Sequence, residues 1–275
     1  MRTSLKFENT LTMLAQMTND SRFQVLEFDK LNGATDIDTA FDLNIMKKAG
    51  VKLKQIRIIL DESKVKIESG ALSYMKGDIK IVNKLNGVIG MSKKFISSKL
   101  TGEEMFKPSY EGRGEIFLEP SFKHYALIEL EDDRIIVDDG MFLACEDGVE
   151  VTHSGQKTIS SMIFGNEGIF QTKIYGTGIV ALEIPVPEEE IFKCKLNEDV
   201  LKVDGSFAIL RTGDIEFSVE KSATTMIGSA TSGEGLLNVY RGTGDVWLIP
   251  TKVVYDKMRS VNDKDSLKEE VFEDE

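Results

Sequence analysis

One phrase occurs three times in this chain. Gly70-Ala71-Leu72-Ser73-Tyr74-Met75-Lys76-Gly77-Asp78-Ile79 returns as Gly140-Met141-Phe142-Leu143-Ala144-Cys145-Glu146-Asp147-Gly148-Val149. It returns again as Gly205-Ser206-Phe207-Ala208-Ile209-Leu210-Arg211-Thr212-Gly213-Asp214-Ile215, so the opening glycines recur after 70 and then 65 residues. A period of that length is one supersecondary unit used repeatedly, and it constrains the architecture before any motif does.

Both flanks of the phrase recur as well. Ahead of each glycine an apolar run meets an acidic cluster and resumes: Ile58–Ile67 through Asp61-Glu62, Ile128–Val137 through Glu131-Asp132-Asp133, and Cys194–Val203 through Asn197-Glu198-Asp199. Asp and Asn favour turns, so each segment reads as a strand, a turn and a returning strand. Behind each phrase comes Gly112-Arg113-Gly114, Gly176-Thr177-Gly178 or Gly242-Thr243-Gly244, set between apolar runs that close on Pro120, Pro185 and Pro250. Gly-x-Gly there suits a tight hairpin with positive φ. A dinucleotide fingerprint would need a third glycine opening a helix, whereas strand-like residues follow here.

The repeat predicts an all-β chain of three similar modules, with short helical segments near the termini. The units are a preface over 1–55, repeats over 56–125, 126–190 and 191–255, and an acidic tail over 256–275. In the preface, Phe23–Phe28 alternates as a strand, and Leu11, Met13 and Leu14 fit a short helix or strand. Asp38 is the expected N-cap of a helix running through Lys47 and Lys48 to a stop at Gly50. The tail reads as a solvated helix or a frayed end.

Charge and composition narrow the function classes. A formal net charge of −12 opposes sequence-independent nucleic-acid binding and docking on anionic lipid. No run of about 20 apolar residues is present to span a membrane. The first residues lack a signal-peptide apolar core, which predicts a cytoplasmic protein of a microbe.

The reactive side chains point away from catalysis. The 2 histidines, His124 and His153, lie near no recognisable nucleophile, and neither His-x-His, Gly-x-Ser-x-Gly, a P-loop lysine nor His-Glu-x-x-His occurs. The pairs Asp61-Glu62, Asp132-Asp133 and Asp138-Asp139 are expected at solvated turns. Cys145 stands five residues after Gly140, where the other copies place Met75 and Leu210; Cys194 stands where they place Ile58 and Ile128. Both cysteines are therefore expected to be buried, reduced and unpaired. No metal, cofactor or catalytic residue is predicted.

The segments inside the copies carry Met91, Phe95, Met162, Phe164 and Met226 among Ser, Thr and Gly. Such residues either cover the end of a barrel or sandwich or form a subunit or partner contact, and these five are the candidate interface.

Gly70-Ala71-Leu72-Ser73-Tyr74-Met75-Lys76-Gly77, Leu100-Thr101-Gly102-Glu103-Glu104-Met105-Phe106, and Phe164-Gly165-Asn166-Glu167-Gly168-Ile169-Phe170 with Gly176-Thr177-Gly178 resemble the altered inheritance of mitochondria protein 24 family, over about residues 55–250. The resemblance implies all-β architecture with three repeated β-sandwich modules around a pseudo-threefold axis, like those of the tryptophan RNA-binding attenuation protein. It supplies no catalytic residues, and likeness of fold does not carry RNA binding with it. The expected function is a non-enzymatic scaffold or interaction protein with a protein partner or homo-oligomer. The alternatives are a small-ligand or enzyme site at the module junctions, and RNA binding by fold analogy.

Overall fold

Apolar alternation breaks step at matching points of three long segments. Ile56, Ile58 and Leu60 are buried at even numbers, then Val65 and Ile67 at odd ones. A straight strand would turn the second set to the opposite face. The chain instead inserts extra residues at a β-bulge, which restores the core face and bends the strand without reversing it.

The computed structural model describes residues 3–4, 10–82, 107–155, 170–221 and 236–259. The chain is mostly β. Strands β1 (Leu11–Thr18) and β2 (Ser21–Phe28) precede helix α1 (Ile37–Lys48). Then follow β3 (Lys54–Ile67), β4 (Leu72–Val82), β5 (Ser109–Leu118), β6 (His124–Asp138), β7 (Phe142–Glu146), β8 (Val149–Gly155) and β9 (Phe170–Ile184). The last strands are β10 (Phe192–Asp204), β11 (Ala208–Thr212), β12 (Asp214–Lys221) and β13 (Leu236–Leu248). Residues 252–259 are helical.

The strands form one antiparallel sheet with the path β1-β2-β3-β7-β9-β6-β11-β13-β10; β4 and β5, β8 and β12 branch from it. The segments that read as strand–turn–strand are the single long strands β3, β6 and β10. Their registers slip between Asp61 and Ser63, between Leu130 and Asp133, and between Leu196 and Asp199. Glu62, Asp132 and Glu198 hold the left-handed conformations at the slips, with φ of 55°, 54° and 53°. The acidic clusters thus hold the positive-φ positions, two of them at Glu, and they bend strands without reversing them.

The Gly-x-Gly motifs also lie inside strands and not at hairpin turns. Gly112 and Gly114 sit mid-β5, between β3 and β4. They are needed for close backbone approach: a Cβ on Gly112 would lie 2.1 Å from the Asp78 carbonyl, and one on Gly242 would lie 2.0 Å from that of Asp214. In two copies the residue between the glycines ties down the bulge. Asp132 N–H donates to Thr177 Oγ1 and Glu198 N–H to Thr243 Oγ1, each at 3.0 Å. In the first copy Arg113 Nε donates to Asp61 Oδ1 at 2.9 Å.

Three apolar clusters hold the sheet. One packs Phe23, Ile56, Ile58, Leu60 and Ile116. A second packs Ile135, Val137, Cys145, Ile174 and Leu182, and a third Leu196, Val203, Ile215, Tyr240 and Val246. Tyr110, Ile174 and Tyr240 are all buried and face Val65, Ile135 and Leu201 respectively. β2 belongs to the first cluster through Phe23, so the preface is part of the core. Helix α1 buries nothing; its cap is Asp36, whose Oδ1 accepts the Thr39 N–H at 2.8 Å, and not Asp38. Gly50, with φ 74°, follows its end.

Candidate functional site

Two ladders stitch successive parts of the sheet together, and they share one register. Val65, Lys66 and Ile67 of β3 oppose Glu146, Cys145 and Ala144 of β7. Ile135, Ile136 and Val137 of β6 oppose Thr212, Arg211 and Leu210 of β11. Directly opposed residues project to the same face, so Lys66 with Cys145 corresponds to Ile136 with Arg211. The cation has changed strand.

At the β3–β7 junction the space is filled. Lys66 Nζ donates to the carbonyls of Val149 at 2.7 Å and Asp147 at 3.2 Å, and to Glu150 Oε1 at 3.0 Å. Cys145 beside it is fully enclosed, and burial pushes its thiol up to about 12. Glu146 is 2% exposed. Its Oε1 accepts the Ser21 N–H at 2.7 Å, and its Oε2 accepts the Ile179 N–H and Asn19 Nδ2, both at 2.9 Å. One buried carboxylate thereby ties the preface to β9. Lys107 bonds Glu68 and lies over the Phe142 ring.

At the β6–β11 junction the same space is open. Ile136 cannot reach across as Lys66 does, and a cleft of about 470 Å³ remains. Arg134, Lys173, Arg211 and Glu216 bring charge to its wall, and Ile215 and Phe217 bring apolar surface. Arg211 is 5% exposed; its Nη1 donates to Gln171 Oε1 at 2.8 Å and its guanidinium lies 5.4 Å from the Phe217 ring centre. Its Nε–H is enclosed and has no hydrogen-bond partner among the described residues. Arg134 pairs with Asp214 Oδ1 at 2.5 Å, whereas Lys173 sits over Tyr175 at 4.9 Å and makes no ion pair among the described residues. A second cleft shares Arg134, Lys173 and Gly213 with it and is lined by Asp132, Asp133, Asp214 and Tyr175. Behind Arg211, burial raises Asp138 to about 6, against the hydrogen bond from Gln171 and the charges of Lys252 and Arg211.

A third ladder of this kind is absent among the described residues. β4 pairs with β5 alone and β10 with β13 alone. By register through β5 and β13, Tyr74, Met75 and Lys76 stand where β7 and β11 use their second partners, as do Leu201, Lys202 and Val203 on β10. Tyr74 is 53% exposed and Met75 38%.

The sequence-predicted residues meet mixed outcomes. Met91, Phe95, Met162, Phe164 and Met226 lie outside the described residues. Cys145 is free and buried; Cys194 is free but only partly buried, which corrects the expectation of full burial. The residue opposing Val246 in β11 is Arg211 and not Leu210, because the third phrase has one extra residue between Gly205 and Ala208; Arg211 is thus the counterpart of Cys145. Asp138 is half-buried and not at a solvated turn. His124 is held below the ordinary histidine range by burial and by Lys54. Sequence reasoning missed Arg211, although an arginine standing where the copies carry Met75 and Cys145 was a readable signal. Among the described residues no group of three His, Cys, Asp or Glu could hold a metal ion, and no helix is long and apolar enough to cross a membrane.

Comparison with known proteins agrees with this architecture. The chain is similar in fold to the crystal structure of protein SPYM3_0169 from Streptococcus pyogenes, with a TM-score of 0.55 and 20% identity over 77% of this chain and 94% of that one. No curated protein matches by sequence. Residues 46–251 match the family described as mitochondrial biogenesis AIM24, so with its bulged three-phrase β sheet this chain belongs to the AIM24 family.

Proposed function

We propose that this protein is a non-enzymatic interaction scaffold: three β modules in pseudo-threefold order that assemble with a second copy of the chain, in the cytoplasm. The observation that carries the reading is the missing third ladder. Unpaired strand edges are templates for further strands, and addition of a strand to such an edge is a common mode of protein recognition. β4 offers Tyr74–Lys76 and β10 offers Leu201–Val203, the two halves of a ladder already made twice within the chain. A second copy supplies the complementary half to each, and a two-fold pair satisfies both edges at once. The low count of histidines, neither next to a recognisable nucleophile motif in the sequence, supports the non-enzymatic part.

Crosslinking tests this reading. In a Cys194→Val background, Met75→Cys and Lys202→Cys chains are mixed and oxidised. Trans pairing gives a disulfide-linked dimer in the mixture, and sedimentation gives a mass that rises with concentration. A monomer at every concentration, or a bridge forming within one chain when both cysteines are on it, overturns the reading. Turnover of a metabolite by the purified protein would overturn the non-enzymatic part.

A further inference from the structure

We propose that the cleft at the β6–β11 junction binds a small oxyanion, a carboxylate or phosphate group carried by a soluble compound, with Arg211 as the principal ligand and Lys173 and Arg134 at its sides. This inference is independent of the edge-to-edge assembly above.

Three observations converge on it. The chain carries a formal net charge of −12, yet Arg134, Lys173 and Arg211 gather in the wall of a single cleft beside Glu216, with Asp214 on Arg134 and Asp138 behind Arg211. Arg211 is 95% buried yet lines the cleft, and one guanidinium nitrogen, Nη1, is given to Gln171. The same register position holds Cys145 at the other junction and Met75 on β4, so the sheet does not require a cation there. A buried arginine set in the wall of a cleft, in a scaffold that also accepts an apolar residue at that position, is explained by an anionic ligand in the cleft. Arginine suits this role because its planar fork matches the oxygens of carboxylate and phosphate.

The surroundings set the limits. Gln171 occupies one guanidinium nitrogen and fixes the plane of the group. Asp214 engages Arg134, which leaves Lys173 as the second cation without a carboxylate partner among the described residues. Ile136, Ile215 and Phe217 give apolar surface to a short carbon body. The volume, about 470 Å³, lies within the ordinary range for small-molecule sites.

Inorganic phosphate and succinate are the two probes, titrated into the full chain at ionic strength held constant with chloride. Thermal shift and calorimetry read the binding. A saturable response to phosphate alone assigns a phosphoryl ligand, and one to succinate alone a carboxylate. The response should weaken at least about tenfold in Arg211→Met, as expected for loss of a charge-assisted pair, and several-fold in Lys173→Met. Circular dichroism checks that each variant folds. If Arg211→Met does not fold, Lys173→Met, nearer the rim, carries the test. Absence of a saturable response to both probes overturns the proposal, as does an unchanged response in the folded variants.

Discussion

The two junctions of this sheet are built on one backbone plan and solved with different side chains. At β3–β7 a lysine reaches over its opposing cysteine and bonds two carbonyls and a carboxylate; at β6–β11 an isoleucine faces a buried arginine and a cleft remains. The backbone demand next to these pairs is also met differently. The Ile179 N–H is satisfied by Glu146, and the matching Asp245 N–H by Thr212 Oγ1 at 2.9 Å. The lesson is that a repeated ladder specifies which backbone groups need partners, while each copy is free to choose the partner. The junction with spare charge is the one open to a ligand.

The sharpest way to break this comparison is to remove both acceptors. Glu146→Ala strands the buried N–H groups of Ser21 and Ile179 and the Asn19 amide. The expected loss is about 3–4 kcal/mol, from roughly 1–3 per unsatisfied buried donor. Thr212→Ala strands one partly buried N–H and should cost about 1 kcal/mol. Urea denaturation of both variants measures the difference, and equal losses would show that the junctions are not differently tied.

A pH series tests the polar side of the open junction. Asp138 is raised from 3.8 to about 6 by burial. In the unfolded chain it ionises near 3.8, while the folded protein holds the proton to about 6. The folded state is therefore favoured most at low pH, and this contribution falls as pH rises through that window. With a discount for partial exposure, wild-type stability should drop by about 1–2 kcal/mol relative to Asp138→Asn between pH 4 and 7. A difference that is flat with pH, or that rises, contradicts the assignment.

Transplanting one junction onto the other sharpens the comparison. The double variant Ile136→Lys with Arg211→Cys should fold with a stability within about 1 kcal/mol of wild type, because the same register already houses that pair. It should also lose the response to phosphate or succinate. Retention of the response would place the anion elsewhere.

The smallest effect is kinetic. A thiol reagent should modify the partly buried Cys194 first and reach Cys145 only on unfolding, because burial keeps the Cys145 thiol protonated. Rapid modification of both thiols would contradict the enclosed position of Cys145.

Much of the fold was legible before the structure. Three glycines at matched positions, with φ of 85°, 79° and 89°, open the three phrases, and the apolar runs around them are strands. The reading failed where one signal has two physical meanings. An acidic cluster that interrupts alternation marks either a hairpin or a bulge, and local sequence is the same for both because each needs residues that tolerate positive φ. Gly-x-Gly misled for a similar reason: glycine serves a turn and a close backbone crossing equally well. Arg211 was misaligned by one residue because the third phrase carries one more residue between its glycine and its strand, Gly205 to Ala208 against Gly140 to Phe142 and Gly70 to Leu72, while the slip that follows is common to all three.

By itself the sequence determined the β class, the breaks in apolar alternation at the acidic clusters, and the free state of both cysteines as aliphatic substitutes. Those features depend on local propensity and period, which the chain carries residue by residue. Tertiary structure decided that the long segments run straight through their acidic clusters, that Ile136 faces Arg211 across a ladder, and that β4 and β10 keep open edges among the described residues. Strands distant in sequence choose their register by the summed burial and hydrogen bonding of whole ladders, and no single segment contains that sum.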